Sequence, residues 1–257
     1  MAKNFGPDQL ARQLKALPTA LGTASIVIDT ADVELVATRL DLKPETVRVL
    51  TTLLSDAERR RASRFVLERD RKRFTVSRAW LRQLLAERLD TRPESVELTY
   101  CAHGKPSLAG HFADSDLQFN VSHCDDVAVV GLSRGRAIGV DIERVRAIPD
   151  ADAIVACYFS RRENEAYSLL KPCDKPEGFF NCWTRKEAFI KAVGDGLSYP
   201  LHRFDVSLTP GEPASILRIM DAPGDATGWR LHNFEPGPGL VGAFVLQTFD
   251  DKFAYRV

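Results

Sequence analysis

No stretch of this 257-residue sequence stays apolar for the roughly 18 residues that a membrane-spanning helix requires, so no transmembrane helix is expected. The N-terminus, MAKNFGPDQLARQLKALPTALG, has no continuous apolar segment and does not read as a secretory signal. Cysteine is scarce: Cys101, Cys124, Cys157, Cys173 and Cys182 are odd in number, and no two have C-x-x-C spacing. That pattern argues against a disulfide framework and against a structural zinc site, and it fits reduced thiols in a cytoplasm. Net charge is absent too, with 35 Lys and Arg against 35 Asp and Glu. The whole chain therefore sets up no field that would draw nucleic acid or a membrane, and any basic site must be local. Repeats and low-complexity segments are not apparent.

What is present is an ordinary globular composition, 44% hydrophobic and 27% charged. The length allows one large domain or two of roughly 110–130 residues. Residues 1–22 read as a leader with at most a weak amphipathic turn or two. Gly131–Gly135 is the best boundary beyond it, dividing an N-terminal half, 23–134, from a C-terminal half, 135–257. Ser55 with Glu58, and Ser160 with Glu163, have capping-box spacing and predict two helix starts. The first opens a helical region to about Leu89, broken near Asp70, with Trp80, Leu81, Leu84 and Leu85 on one side. The second predicts a helix to about Leu170, followed by a loop over Lys171–Gly178. A further helix is expected over Trp183–Val193, stopped by Gly194 and Gly196. Strands are expected at Ala24–Asp29, Val96–Tyr100, Phe119–Val121, Val127–Leu132 and Ala137–Glu143. Others follow at Phe204–Leu208, Ser215–Met220, Trp229–Phe234 and Leu240–Phe249.

Five stretches carry candidate chemistry. In Gly139-Val140-Asp141-Ile142-Glu143, strand alternation sends Ile138, Val140 and Ile142 to one face and Asp141 and Glu143 to the other. Two carboxylates so spaced can chelate one hard cation, though a half-buried strand with an acidic solvent face shows the same pattern. Glu187 and Lys191 stand at i, i+4, as a surface ion pair also would. Glu187, however, lies beside Trp183 and Ile190, at the edge of an apolar face. Ser122 and His123 end an apolar strand. Strand neighbours point to opposite faces, so a Ser–His nucleophile pair is not expected; the stretch reads either as an ordinary strand end with polar residues or as one or two donors of hydrogen bonds to phosphate. Lys105 sits on a Gly104–Pro106 turn, as a phosphate reader or as an ordinary turn lysine. Glu58–Arg78 is rich in arginine, as a solvated helix face or as part of a polyphosphate groove.

These pieces occur in one order: a basic helix, Gly104-Lys105-Pro106, Asn120-Val121-Ser122-His123, Gly139 to Glu143, Phe159-Ser160-Arg161-Arg162-Glu163, Trp183 to Lys191, and Gly194-Asp195-Gly196-Leu197. The ordered set, over roughly residues 25–250, resembles the Sfp-type 4′-phosphopantetheinyl transferases. The resemblance implies an α/β (α+β) fold of two similar halves related by a pseudo-twofold. Each half would be a small, mostly antiparallel sheet packed with helices, with the active site in the cleft between them. It implies a cytoplasmic monomer that moves the 4′-phosphopantetheine arm of coenzyme A to a serine of an apo acyl, peptidyl or aryl carrier protein, releasing adenosine 3′,5′-bisphosphate. Asp141, Glu143 and Glu187 would hold Mg²⁺, or Mn²⁺; Glu187 would also take the serine proton, and Lys191 would steady phosphoryl charge. Lys105 and Pro106, Ser122, His123, Arg61, Arg64 and Arg73 would bind coenzyme A, with Lys105 on the 3′-phosphate. A metal-dependent phosphohydrolase acting on a nucleotide or coenzyme A would use the same acids without a carrier. A nucleic-acid binder using the basic helix fits less well, because net charge is zero and the patch lacks interleaved aromatics.

Overall fold

The computed structural model of the protein describes residues 15–18, 24–29, 33–194, 199–220 and 225–248. After two strands, β1 (Lys15–Pro18) and β2 (Ala24–Asp29), one order of elements occurs twice. The first series is β3 (Val33–Arg39), α1 (Pro44–Thr51), α2 (Asp56–Ala62), α3 (Glu68–Arg88), β4 (Leu98–Tyr100), β5 (Pro106–Leu108), β6 (Leu117–Cys124) and β7 (Val127–Arg134). The second is β8 (Ile138–Arg144), α4 (Ala151–Tyr158), α5 (Arg161–Ser168), α6 (Lys175–Val193), β9 (Phe204–Val206), β10 (Ile216–Ile219), β11 (Trp229–Phe234) and β12 (Leu240–Gln247). In each series the first strand pairs antiparallel with the last, and the last with the one before it. The sheets run β1-β2-β3-β7-β6 and β11-β12-β8. Among the described residues no helix is long and apolar enough to cross a membrane.

The two series share a keystone. Ser55 caps α2 by accepting from the Glu58 amide, and Glu58 reaches back to the Ser55 amide. That glutamate is buried, and the same oxygen, Oε2, also accepts from Arg82 Nε of α3 at 2.7 Å. Arg82 also donates to the carbonyls of Pro93 and Val96. In the second series Ser160 and Glu163 cap α5 in the same way. Glu163 meets Lys186 of α6 at 2.8 Å, and Lys186 donates to the carbonyls of Leu201 and Phe204. Each long helix is thus tied by one buried cation to the preceding helix start and to the loop that follows.

Three cores result. Trp80, Leu81, Leu84 and Leu85 of α3 pack on Val36, Ala128 and Val130 in the first series. Phe179, Phe189 and Ile190 of α6 pack on Phe204, Ala243 and Val245 in the second. Between the two sheets lie Leu35, Val127 and Val129 from one and Ile138, Val140, Ile142 and Phe244 from the other. The approach there is close: a Cβ at Gly131 would collide with Val140 and Ile138.

Four expectations need correction. The helical region after Ser55 breaks at Ser63–Leu67, ahead of Asp70. The strand through Phe119–Val121 continues to Cys124, leaving only Asp125 and Asp126 as the turn. The helix placed over Trp183–Val193 starts at Lys175, so most of the loop expected at Lys171–Gly178 shortens to its first residues. Pro176 is in the first helical turn, where its missing N–H costs nothing. Gly178 lies inside the helix at a point where Leu170 packs into the space a Cβ would fill, so only glycine fits there without a shift. Strand β1 falls in the segment read as a leader, and β3, α1 and α4 stand where no element was expected. Asp195, Gly196, Leu197 and Phe249 lie outside the described residues.

Candidate active site

Strand β8 is an edge strand with α6 across one face. Gly139, Asp141 and Glu143 share that face. Gly139 is required there, since a Cβ would run into the backbone of Ala188 and Ala192. The helix therefore lies directly on the strand, and this brings Glu187 and Lys191 over Asp141.

The free edge of β8 is closed by side chains of β6 in place of a backbone ladder. Asn120 Oδ1 accepts the Val140 amide at 2.9 Å, and Ser122 Oγ accepts the Ile142 amide at 3.3 Å. Ser122 also donates to Asp141 Oδ1 at 2.9 Å. Lys191 Nζ reaches that same oxygen at 2.6 Å, and the Val140 carbonyl at 3.2 Å. The phosphate contact expected of Ser122 is thus replaced by contacts within the protein, and Asn120 has a role that no expectation gave it. Alternation along β6 puts the two on one face, and this was the signal available.

Asp141 is buried, and its Oδ2 has no partner among the described residues. The Glu187 carboxyl is raised above its usual range by burial first, then by the charge of Asp141, with Lys191 opposing and Glu143 adding. Glu143 is raised by burial and by Asp141. An orphaned carboxylate oxygen beside two acids that resist ionisation is the donor chemistry of a hard divalent cation. The fit is not yet closed: among the described residues no three His, Cys, Asp or Glu groups stand near enough to enclose an ion. Chelation by all three requires Glu143 and Glu187 to swing toward Asp141.

Beside these acids opens a cleft of about 740 Å³, lined from the first series by Arg61, Phe74, Arg78, Lys105 and His123, and from the second by Lys191. Pro106 and Arg73 line it too. Arg64 instead lines a neighbouring cavity of about 650 Å³ that shares Arg61 and Phe65 with the first. Charge pairing sorts the basic residues. Arg73 makes a bidentate pair with Asp41, at 2.8 and 2.7 Å. Arg59, Arg69 and Lys72 pair with Asp56, Asp70 and Glu68. Arg61 and Arg78 lie over the Phe74 ring with no carboxylate partner among the described residues. Burial lowers the Arg78 pKa, and its guanidinium lies over the Tyr100 ring as well as that of Phe74. In the sequence Arg78 is one of eight arginines within Glu58–Arg78, with nothing local to single it out. His123 is pushed toward its neutral form by burial in the cleft and by the charges of Lys191 and Arg78.

Comparison with known proteins bears on this geometry. Residues 42–134 match the family model "4′-phosphopantetheinyl transferase, N-terminal", and residues 137–245 match "4′-phosphopantetheinyl transferase superfamily". The 4′-phosphopantetheinyl transferase HetI of Nostoc sp. is 36% identical over 82% of this chain and 85% of its own length. The 4′-phosphopantetheinyl transferase gsp of Aneurinibacillus migulanus is 31% identical over 60% of this chain and 62% of its own. The human L-aminoadipate-semialdehyde dehydrogenase-phosphopantetheinyl transferase is 32% identical over 60% and 52%. The repeated series, the cleft they share and these matches agree: the chain belongs to the 4′-phosphopantetheinyl transferase superfamily, enzymes that transfer phosphopantetheine from coenzyme A to carrier proteins.

Proposed function

We propose that Asp141, Glu143 and Glu187 hold Mg²⁺ against the pyrophosphate of coenzyme A, and that Glu187 and Lys191 carry the transfer to a carrier serine. The observation that supports this most is the buried Oδ2 of Asp141 beneath α6, unpartnered among the described residues, with Glu143 and Glu187 both close enough for Asp141 to raise their affinity for protons. When bound there, the cation would neutralise charge on the pyrophosphate and polarise the phosphorus under attack.

The chain's own residues do the rest. Glu187 has its proton affinity raised by burial and by its acidic neighbours, which suits it to take the proton from the serine hydroxyl. Lys191 then stabilises charge growing on the phosphoryl oxygens. Asn120 and Ser122 hold the β8 edge on which Asp141 stands; the Ser122 hydroxyl gives its one proton to Asp141, so the phosphate contact expected of Ser122 and His123 falls to His123. Arg61 and Arg78 receive phosphates of coenzyme A in the cleft with His123, Arg73 and the Lys105–Pro106 turn around them, and Arg64 serves from the adjoining cavity. The walls of the cleft are the halves 23–134 and 135–257, acting within one monomer in the cytoplasm. Adenosine 3′,5′-bisphosphate leaves.

The test is a metal series. Transfer from coenzyme A to an apo carrier protein is followed with Mg²⁺, with Mn²⁺, and in excess chelator. Activity with either cation and none in chelator is the expected result, and Asp141→Asn should abolish the metal response. Full transfer in chelator contradicts the proposal.

A further inference from the structure

Lys105 stands on the turn between β4 and β5, in the first series, and lines the cleft. Its ammonium group nevertheless faces the second series. It donates to the carbonyl of Lys191, to that of Ala192 at 3.4 Å and to that of Ile138 at 3.5 Å. Among the described residues no carboxylate pairs with it.

Two of those carbonyls belong to the last turn of α6. A helix leaves its final carbonyls without intrahelical donors, and they form the negative end of the helix dipole. Here Gly194, at φ 95°, turns the chain and returns its own amide to Ile190. Among the described residues the donor that reaches the carbonyls of Lys191 and Ala192 is Lys105, from a segment 86 residues before Lys191. Lys191 is consequently held at both ends, its carbonyl by Lys105 and its ammonium by Asp141. The third acceptor, Ile138, opens the strand that carries Asp141 and Glu143. One side chain thus touches both elements that bear the acids and the catalytic lysine.

We infer that Lys105 is a positioning residue, a clasp that fixes the carboxyl end of α6 to the first series and so sets Lys191 and Glu187, and that it does not read the 3′-phosphate of coenzyme A. The inference rests on the roles proposed above for Glu187 and Lys191. Binding of the 3′-phosphate then falls to Arg61 and Arg78, the cleft arginines with no carboxylate partner among the described residues.

Two measurements on Lys105→Met test it. In ligand-free protein, amide hydrogen exchange over residues 188–194 should rise about tenfold, because the last turn of α6 loses its external donor. In steady-state transfer, kcat should fall about tenfold, while KM for coenzyme A and KM for 3′-dephospho-coenzyme A change by one common factor below about twofold. Lys105→Arg, which can still donate to the carbonyls, should recover at least half of the lost kcat. If the Met variant does not fold, Lys105→Gln takes its place in both measurements. Unchanged exchange at the end of α6, with KM raised for coenzyme A and not for the dephospho form, would overturn the clasp and make Lys105 a phosphate reader. Failure of Arg to do better than Met would overturn it too. Should the wild type not transfer at all, the function reading fails, and the exchange measurement still decides the clasp.

Discussion

Ser122 Oγ joins three elements at once: it accepts the Ile142 amide of β8, donates to Asp141, and lies 3.3 Å from Lys191 Nζ of α6. Residues of this site are defined by such partners, and that defines what each substitution should do. Glu187→Gln keeps the side chain's shape and removes its charge and basicity. It should lower the transfer rate on the order of 10²-fold or more, measured under saturating coenzyme A. Near-normal turnover would take Glu187 out of the chemistry and leave Lys191 as the partner of Asp141 alone. Arg78→Ala removes a cation that has no carboxylate partner among the described residues, so KM for coenzyme A should rise about tenfold or more, the scale of one charged hydrogen bond. Arg69→Ala, whose side chain is paired with Asp70, is the control and should leave KM alone. Away from the site, His232 is stacked on Phe244, and burial lowers its pKa below 6.5. Below about pH 6.5 the unfolded chain takes up a proton that the folded chain resists, so this residue should make stability fall as pH falls. Urea unfolding at about pH 7.5 and about pH 5.5 checks this, and His232→Leu should flatten the difference.

At the scale of elements, the local signals were legible and the tertiary ones were not. The strands Ala24–Asp29 and Trp229–Phe234, and both capping boxes, stand where patterning put them. The start of α6 was hidden because Pro176 and Gly178 read as loop punctuation, while one occupies a first turn and the other a close contact with Leu170. Helix α1 was hidden although Pro44 marks its first turn, and ADAIVACY of α4 is too uniformly apolar to show a helical period. The role of Asn120 depends on a strand edge formed by residues 20 positions away, which no local pattern reveals. The repeated order of elements is likewise invisible in the letters, apart from Ser-x-x-Glu occurring at Ser55 and at Ser160. Both glutamates tie down a buried cation, so Glu163→Gln should strand Lys186 and cost about 3–5 kcal/mol, read from urea midpoints. Gly139→Ala should act on catalysis more than on stability. Pushing α6 off β8 is an overpacking cost of about 1–3 kcal/mol. Displacing Glu187 and Lys191 relative to Asp141 should cost on the order of 10²-fold in rate. An Ala variant as active as wild type would mean that the helix need not lie so close.

For the whole molecule, the two series are individually ordinary, and the chemistry arises where they meet. The apolar core between the sheets holds β8 against the first series, α6 brings the lysine and the third acid, and the first series supplies the arginines. A hydrolase could use the same acids, and what separates the two reactions is the nucleophile the cleft admits. The most direct measurement incubates the purified protein with coenzyme A, Mg²⁺ and a panel of apo carrier proteins, following carrier mass and adenosine 3′,5′-bisphosphate together, with a parallel reaction lacking any carrier. The account predicts that at least one carrier gains the mass of a single phosphopantetheine at its serine, in step with the bisphosphate, and that without a carrier the bisphosphate forms slowly or not at all. Brisk release of bisphosphate without a carrier, and no mass gain on any of them, would contradict it.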